Sequence, residues 1–356
     1  MADIELEREV LKALGTVEDP ELKRDVVSLG MIRELKIEDG RVSFTFVLTT
    51  PACPLADSLN MAVRKAVESI GWVKSVEIRQ ESNVPKAKSK GPKKPVPLDG
   101  IKNIIAVGSG KGGVGKSTVS VNLAIALAQT GAKVGLIDAD IYGPNVPLMM
   151  GISEEQKITA LKDDQILPVD VYGVKTISIG LLLPNDTPVI WRGPLVSQMI
   201  EQFLTKTYWG EIDYLVVDLP PGTGDVQLTL VQKVPVTGGV IVSTPQDVSL
   251  LDATKALNMF VKVEVPVIGM IENMSYFVCP HCNTRTDIFG TGGVEIAAKK
   301  LGVDFLGQLP IETKIREGGD IGKPIVVMDP ESKSAKEFHR IARKIASKLS
   351  VINMAE

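Results

Sequence analysis

The chain has 356 residues, which at about 150 residues per domain excludes a single small module and predicts two domains, or one large domain with an appendage. Apolar residues make up 44% and charged residues 23%, a balance that supports a core and excludes global disorder. With 40 Lys and Arg against 43 Asp and Glu, the net charge of −3 excludes a general basic field, so any anion site is local and no nucleic-acid partner is expected.

Three cysteines, Cys53, Cys279 and Cys282, are too few for a disulfide framework, and the acidic start Met1-Ala2-Asp3-Ile4-Glu5 lacks the basic-then-apolar order of a signal peptide. No apolar run approaches the roughly 18 residues of a membrane span. The expectation is a soluble, reduced, cytoplasmic protein with no stable membrane association.

Ile4 to Leu14 has helical spacing. Met31 to Ile37 and Val42 to Leu48 alternate as strands on either side of Asp39-Gly40, which predicts a β-hairpin. Leu55 to Ile70 repeats at helical period after Cys53-Pro54, with Pro54 suited to a first helical position, and Val73 to Ile78 reads as a returning strand. Residues 1–81 are thus expected to form a small α+β domain. Residues 82–99, SNVPKAKSKGPKKPVPLD, carry five lysines and four prolines and no aromatic residue. Such a stretch cannot bury enough surface to offset its ordering entropy, so it reads as a linker whose lysines are solvated.

From residue 100 to 356 the texture changes to short continuous apolar runs: Ile104 to Val107, Val134 to Ile137, Tyr214 to Val217, Val240 to Val242 and Val267 to Met270. Runs without alternation fit strands buried on both faces, and helical patterns such as Ser117 to Gln129 lie between them. The fold expected here is a doubly wound α/β domain with a mainly parallel sheet, and Ile166 to Leu183 reads as an inserted β-hairpin.

Gly110-Lys111-Gly112-Gly113-Val114-Gly115-Lys116-Ser117-Thr118 lies between the first apolar run and a helical segment, the context a phosphate-binding P-loop requires. Its glycines free backbone N–H groups for phosphate oxygens, Lys116 reaches the β- and γ-phosphates, and Ser117 can ligate Mg²⁺. Asp138-Ala139-Asp140 and Asp218-Leu219-Pro220-Pro221-Gly222 each close a buried strand. Asp218 suits the Mg²⁺ and Asp140 the orientation of attacking water, while Gly222 permits a backbone N–H to approach the γ-phosphate. An Asp at a strand end is also a common turn residue. Lys111 is a second lysine in a loop that needs only Lys116, and it could reach a phosphate from a facing subunit; the plain alternative is a solvated lysine.

Cys279-Pro280-His281-Cys282 can bite one metal or cluster but leaves a tetrahedral zinc or a four-cysteine cluster half ligated. A two-fold dimer would duplicate the pair and supply four sulfurs on its axis. Spacing alone leaves iron–sulfur and zinc open. A redox pair fits less well, because that motif opens a helix after an early strand. His281 is expected to point outward.

GKGGVGKST with Lys111, DADIYGPN, DLPPGTGD and the ENMSYFVCPHC segment together resemble the Mrp/ApbC family of P-loop ATPases, relatives of MinD, ParA and the nitrogenase iron protein, over about residues 100–350. The resemblance implies a homodimeric ATPase that carries a labile 4Fe–4S cluster between subunits and passes it to apo-proteins, alongside iron–sulfur assembly machinery. It implies that Lys111 is the signature lysine acting across the dimer, that Asp140 and Asp218 are the switch I and Walker B carboxylates, that Asn273 reads the adenine edge, and that Cys279 and Cys282 bridge the cluster. Trp191-Arg192-Gly193-Pro194 also matches a family segment, with no role assigned. Asp19-Pro20-Glu21 and Thr49-Thr50-Pro51-Ala52-Cys53-Pro54 resemble the small PaaD/SufT-like domain. Cys53, at a helix N-terminus where the dipole favours thiolate, would then be an accessory thiol that receives or relays iron; a plain buried cysteine is the alternative.

The competing function is a MinD/ParA-like positioning ATPase with a structural metal at the dimer interface. It would use Phe338, Ile341, Ala342, Ile345 and Leu349 as an apolar stripe beside basic residues; terminal helices packed on a sheet carry the same pattern.

Overall fold

The computed structural model describes residues 2–87, 98, 100–141, 143–153, 156, 159–160, 165–182 and 193–354. Linker residues 88–97 and 99 lie outside that set, as do Trp191 and Arg192. Two compact units emerge: Met1–Pro85 with Ala346–Glu356, and Lys86–Ile345.

In the first unit, α1 (Ala2–Leu14) precedes a sheet of β1 (Ile32–Glu38), β2 (Arg41–Leu48) and β3 (Ser75–Ser82), in that spatial order. The β1–β2 pair is the expected antiparallel hairpin, and Asp39 and Gly40 both take positive φ, 50° and 84°, as a tight primed turn demands. β3 lies parallel to β2 and is reached through α2 (Ala56–Glu68), which buries Leu59, Val63 and Val67 at successive helical turns. These join Val10, Leu14, Phe44 and Phe46 in one apolar cluster, each such side chain contributing about 1.5–3 kcal/mol. Leu55 is the N-cap of α2, so Pro54 lies just before the cap, two residues ahead of the first helical position that its sequence suggests for it. The final turns of the C-terminal helix belong to this unit: Ser350 Oγ donates to the Thr49 carbonyl at 3.4 Å and Asn353 Nδ2 to the Pro85 carbonyl at 3.3 Å.

The second unit is built on an eight-stranded sheet. Its strands are β4 (Ile101–Gly108), β5 (Val134–Asp138), β6 (Val169–Val171), β7 (Val174–Ser178), β8 (Ile212–Asp218), β9 (Gly238–Ser243), β10 (Val267–Glu272) and, nearest the C-terminus, Phe305–Gln308. The spatial order is β6-β7-β5-β8-β4-β9-β10 and then Phe305–Gln308, parallel throughout except for β6 against β7. This is the mainly parallel, doubly wound α/β domain expected. The hairpin read between Ile166 and Leu183 is real, with Leu183 outside the described residues, and it extends the main sheet because β7 pairs with β5. Chain order reverses around β4: β8 lies on one side and β9 on the other, so a crevice opens beyond the carboxyl end of β4.

β4, β5, β8 and β9 are buried almost throughout, which is why their sequences are continuous apolar runs. The stripe Phe338, Ile341, Ala342, Ile345 and Leu349 is at most 1% exposed, so it is packing surface. Among the described residues no helix is long and apolar enough to cross a membrane.

Candidate functional site

β4 ends at Gly108 and α3 (Lys116–Ala128) begins eight residues later, so the glycine-rich loop occupies the crevice. Gly113 and Gly115 take φ of +79° and +80°, which side-chain-bearing residues adopt only with strain. Gly110 is required for space: a Cβ there would lie 2.1 Å from the backbone carbon of Asp252. The N-cap of α3 is Gly115, with no side chain capping the helix. The first-turn N–H groups of α3 therefore face the crevice with the positive end of the helix dipole, which suits an anion.

Lys116 and Asp218 are both buried and pair at 2.9 Å. Asp218 also accepts hydrogen bonds from Ser117 Oγ at 2.6 Å and Ser120 Oγ at 2.7 Å. Ser117 and Asp218 thus present hydroxyl and carboxylate oxygens side by side, a hard-oxygen pair that fits Mg²⁺. Sheet register sets Asp138 directly beside Asp218 at neighbouring strand ends. Two carboxylates then share one lysine in a dry site. Burial, with the Asp218 charge adding to it, pushes the Asp138 carboxyl up to about 8, while the Ser178 hydroxyl and Lys116 pull it down in part.

Asp138 was legible in the sequence only as the partner of Asp140, yet it organises the turn: it accepts from the N–H groups of Asp140 at 3.2 Å and Val146 at 3.3 Å, and from Ser178 Oγ at 2.9 Å. Asp140 sits half-buried just beyond. Thr118 lies in the first turn of α3 and Gly112 is exposed on the loop. Lys111 is half-buried, and among the described residues no carboxylate pairs with it. Gly222 takes φ +94°, but its N–H donates to the Ser109 carbonyl at 3.0 Å; in this conformation it braces the loop and is not free for a γ-phosphate. Asn273 is 8% exposed and its Nδ2 donates to the Val114 carbonyl at 2.8 Å, so in this conformation its amide supports the phosphate loop.

The thiol pair lies on a small antiparallel ribbon, β11 (Phe277–Val278) and β12 (Arg285–Thr286). Cys279 N–H donates to the Thr284 carbonyl at 3.0 Å and Asn283 N–H to the Cys279 carbonyl at 2.9 Å, closing a turn in which Asn283 has φ 55°. Cys279 is half-buried and Cys282 exposed, and His281 points outward as expected. Cys282 Sγ donates to Thr284 Oγ1 at 3.2 Å; this contact, the Thr284 backbone and Cys279 together lower its thiol below the usual range. Among the described residues no three His, Cys, Asp or Glu side chains gather to hold a metal, so one chain offers the pair alone. The ribbon is anchored by Glu272, a fully buried carboxylate missed by sequence reasoning. It closes an apolar run just as Asp138 and Asp218 do, and that strand-end acid signal would have found it.

In the first unit, burial pushes the Cys53 thiol up to about 11, with Glu21 and Asp19 adding to the shift. The thiolate expected at the helix N-terminus is therefore reversed: desolvation outweighs the dipole, and Cys53 is a protonated, half-buried thiol.

A glycine loop between strand and helix, a buried lysine and a strand-end aspartate define a P-loop nucleoside triphosphatase of the doubly wound class. A family model described as NUBPL iron-transfer P-loop NTPase matches residues 100–346, and one described as iron-sulfur cluster assembly protein matches residues 7–79. The chain belongs to the iron-transfer P-loop NTPase family. It is 53% identical over 345 residues, covering 96% of this chain and 97% of the relative, to the iron-sulfur cluster carrier protein of Synechocystis sp.. It is 47% identical to that of Deinococcus radiodurans, over 98% of this chain and 97% of the relative. Among solved structures, the nucleotide-binding protein of Archaeoglobus fulgidus in complex with ADP is 42% identical, covers 66% of this chain and 91% of its own, and superposes with a TM-score of 0.58.

Proposed function

We propose that this protein is an ATP-hydrolysing carrier of 4Fe–4S clusters, which a homodimer holds between Cys279 and Cys282 of each subunit and delivers to apo-proteins. The observation that carries the reading is that the thiol ribbon follows β10 at the same end of the sheet as the phosphate loop, four residues after Asn273, whose Nδ2 donates to that loop. Two sulfurs per chain make a complete four-thiolate cage only when a second copy supplies the rest. Exposed apolar side chains at Val248, Leu251, Ile288 and Phe289, on the helix beside the loop and on the thiol segment, support burial against such a copy.

In this reading Lys116 leaves Asp218 for the β- and γ-phosphates, and the N–H groups of residues 113–118 hold the phosphate oxygens. Ser117 and Asp218 would hold Mg²⁺, which when bound neutralises charge developing on the transferred group. Asp140 orients the attacking water, and Lys111 reaches the phosphates of the facing subunit, making hydrolysis depend on dimerisation. The small domain at 1–81, with Cys53 as its accessory thiol, is joined through 82–99 to the ATPase domain that begins at residue 100, whose last residues, Ala346–Glu356, fall in the first unit. The cluster is cargo handed over by the assembly machinery in the cytoplasm, where thiols stay reduced.

The test is anaerobic reconstitution with iron and sulfide, followed by metal and sulfide analysis and mass in solution. About four irons and four sulfides per dimer are expected, lost together in Cys279→Ser or Cys282→Ser. Zinc without sulfide, or a monomer that persists with cluster and with non-hydrolysable nucleotide, would overturn it.

A further inference from the structure

One short segment holds more than the reading above uses: a buried carboxylate at Glu272, the buried amide of Asn273, and hydrogen bonds that run from them in opposite directions. Asn273 holds the phosphate loop. Its N–H donates to the Ser243 carbonyl at 2.8 Å at the end of β9, which fixes its backbone in the sheet, and its Nδ2 reaches the Val114 carbonyl at 2.8 Å. A Cβ on Gly115 would lie 2.2 Å from that nitrogen, so the amide is seated against the very peptide it supports.

The peptide between Val114 and Gly115 is trans, as are all peptides among the described residues, so its N–H points away from its carbonyl. A donor on the carbonyl polarises the unit and strengthens the N–H as a donor to phosphate; phosphate on the N–H strengthens the bond to Asn273 in turn.

Glu272, the neighbouring residue, holds the thiol ribbon at both ends. It accepts from Ser275 Oγ at 2.5 Å where the segment begins, and from the N–H groups of Gly292 at 2.9 Å and Val294 at 2.8 Å where it returns to the helix Gly293–Leu301. Ser275 Oγ lies 3.2 Å from Thr291 Oγ1, and Arg285 Nη2 donates to Thr291 at 3.1 Å. Arg285 sits on β12, its guanidinium 4.4 Å from the Tyr276 ring, and the preceding residue Thr284 accepts from Cys282. A series of hydrogen bonds therefore joins the phosphate loop to the thiol pair, with two covalent steps on the way, Asn273 to Glu272 and Arg285 to Thr284.

We infer that Asn273 and Glu272 are positioning residues that couple occupancy of the phosphate loop to the geometry of the Cys279–Cys282 ribbon, so that bound nucleotide changes how the two thiols meet their cargo. This rests on the proposed pairing of nucleotide and cluster sites and adds the path between them. Coupling of this kind is reciprocal: whatever factor nucleotide imposes on thiolate ligation, ligation imposes on nucleotide affinity.

The experiment uses the full-length, reduced, cluster-free chain. Alkylation of Cys279 and Cys282 by iodoacetamide is timed by peptide mass spectrometry, which separates them from Cys53, with no nucleotide, with Mg-ADP and with a non-hydrolysable ATP analogue. Nucleotide binding is measured independently by equilibrium dialysis. Wild type is expected to change its thiol rate by about 5-fold or more on saturation, the lower range of measured couplings. Asn273→Asp, nearly identical in shape but without the donor, should bind nucleotide more weakly and, at saturation, lose most of that response, and Asn273→Gln should restore part of it. Should the Asn273 variants not fold, Ser275→Ala with Thr291→Val breaks the ribbon side alone and is expected to lose the response with nucleotide affinity unchanged. Failure of nucleotide to bind wild type would sink the ATPase reading itself. Nucleotide that binds while thiol rates stay equal, or a response retained in Asn273→Asp or in the Ser275/Thr291 variant, overturns the relay and leaves dimer closure as the cause.

Discussion

Asp138→Asn isolates the proton that the buried carboxylate pair requires. The carboxyl of Asp138 stands at about 8 in the native chain against 3.8 when free, because it is dry and faces Asp218. Between those values the unfolded chain is ionised there and the native chain holds a proton, so the native state binds one proton more. Its stability then falls as pH rises, by up to about tenfold in the folding equilibrium per pH unit from this group. The loss is complete above the native value, where both states are ionised. Asparagine copies the neutral form and removes this slope. It also turns an amide NH2 toward either the Ser178 hydroxyl or the Asp140 N–H, an offset of about 1 kcal/mol that does not vary with pH. Urea unfolding of wild type and variant at pH 5, 6, 7 and 8, without Mg²⁺ or nucleotide, gives the difference directly. The variant should gain on wild type by up to about tenfold in the folding equilibrium per unit through pH 7, and less steeply toward pH 8. A difference that stays constant across the series would refute the proton.

Three other outcomes follow from the geometry. Lys116→Ala leaves Asp218 buried without its cation and should destabilise the second unit by about 3–5 kcal/mol in denaturant melts while abolishing ATP turnover. Gly115→Ala combines a φ of +80° with a Cβ 2.2 Å from Asn273, and should cost about 2–4 kcal/mol in stability and weaken nucleotide binding measured by dialysis. Alkylation at pH 8 should modify Cys282 well before Cys53, whose thiolate fraction at a value of about 11 is about one in a thousand; equal rates would mean that Cys53 is not desolvated.

Much of this was legible because burial writes itself into sequence. Strands covered on both faces must be apolar at every position, so β4, β5, β8, β9 and β10 read as uninterrupted runs, and the residue that ends each run emerges at the crevice. The turn at Asp39-Gly40 was equally plain, since few residue pairs accept two positive φ values in succession. What the sequence hid were the partners of each polar group. Asn273 and Gly222 were both recognised as neighbours of the nucleotide, yet which acceptor an amide or an N–H finds depends on loop paths that periodicity does not encode: Val114 for one, Ser109 for the other. For Cys53 the sequence left two readings open, thiolate and plain buried cysteine, for a related reason. A helix N-terminus favours thiolate only where water or a cation shares the charge, and the burial of Cys53 was not visible from its helix alone.

The same reasoning explains why the acids at strand ends differ in what they do. Asp138, Asp218 and Glu272 are all fully buried and all close parallel strands of one sheet. Asp218 meets a lysine and two hydroxyls, which compensate its charge and leave it able to exchange them for a metal. Asp138 has no cation of its own, so it keeps a proton. Glu272 meets two backbone N–H groups at and just beyond a helix start, donors that cannot leave without unwinding the turn. Exchangeable partners suit a group that acts on nucleotide and fixed partners suit a group that holds a loop. Glu272→Gln should therefore leave ATP binding in place while loosening the ribbon, read as faster amide exchange across residues 276–292, whereas Asp218→Asn should do the reverse.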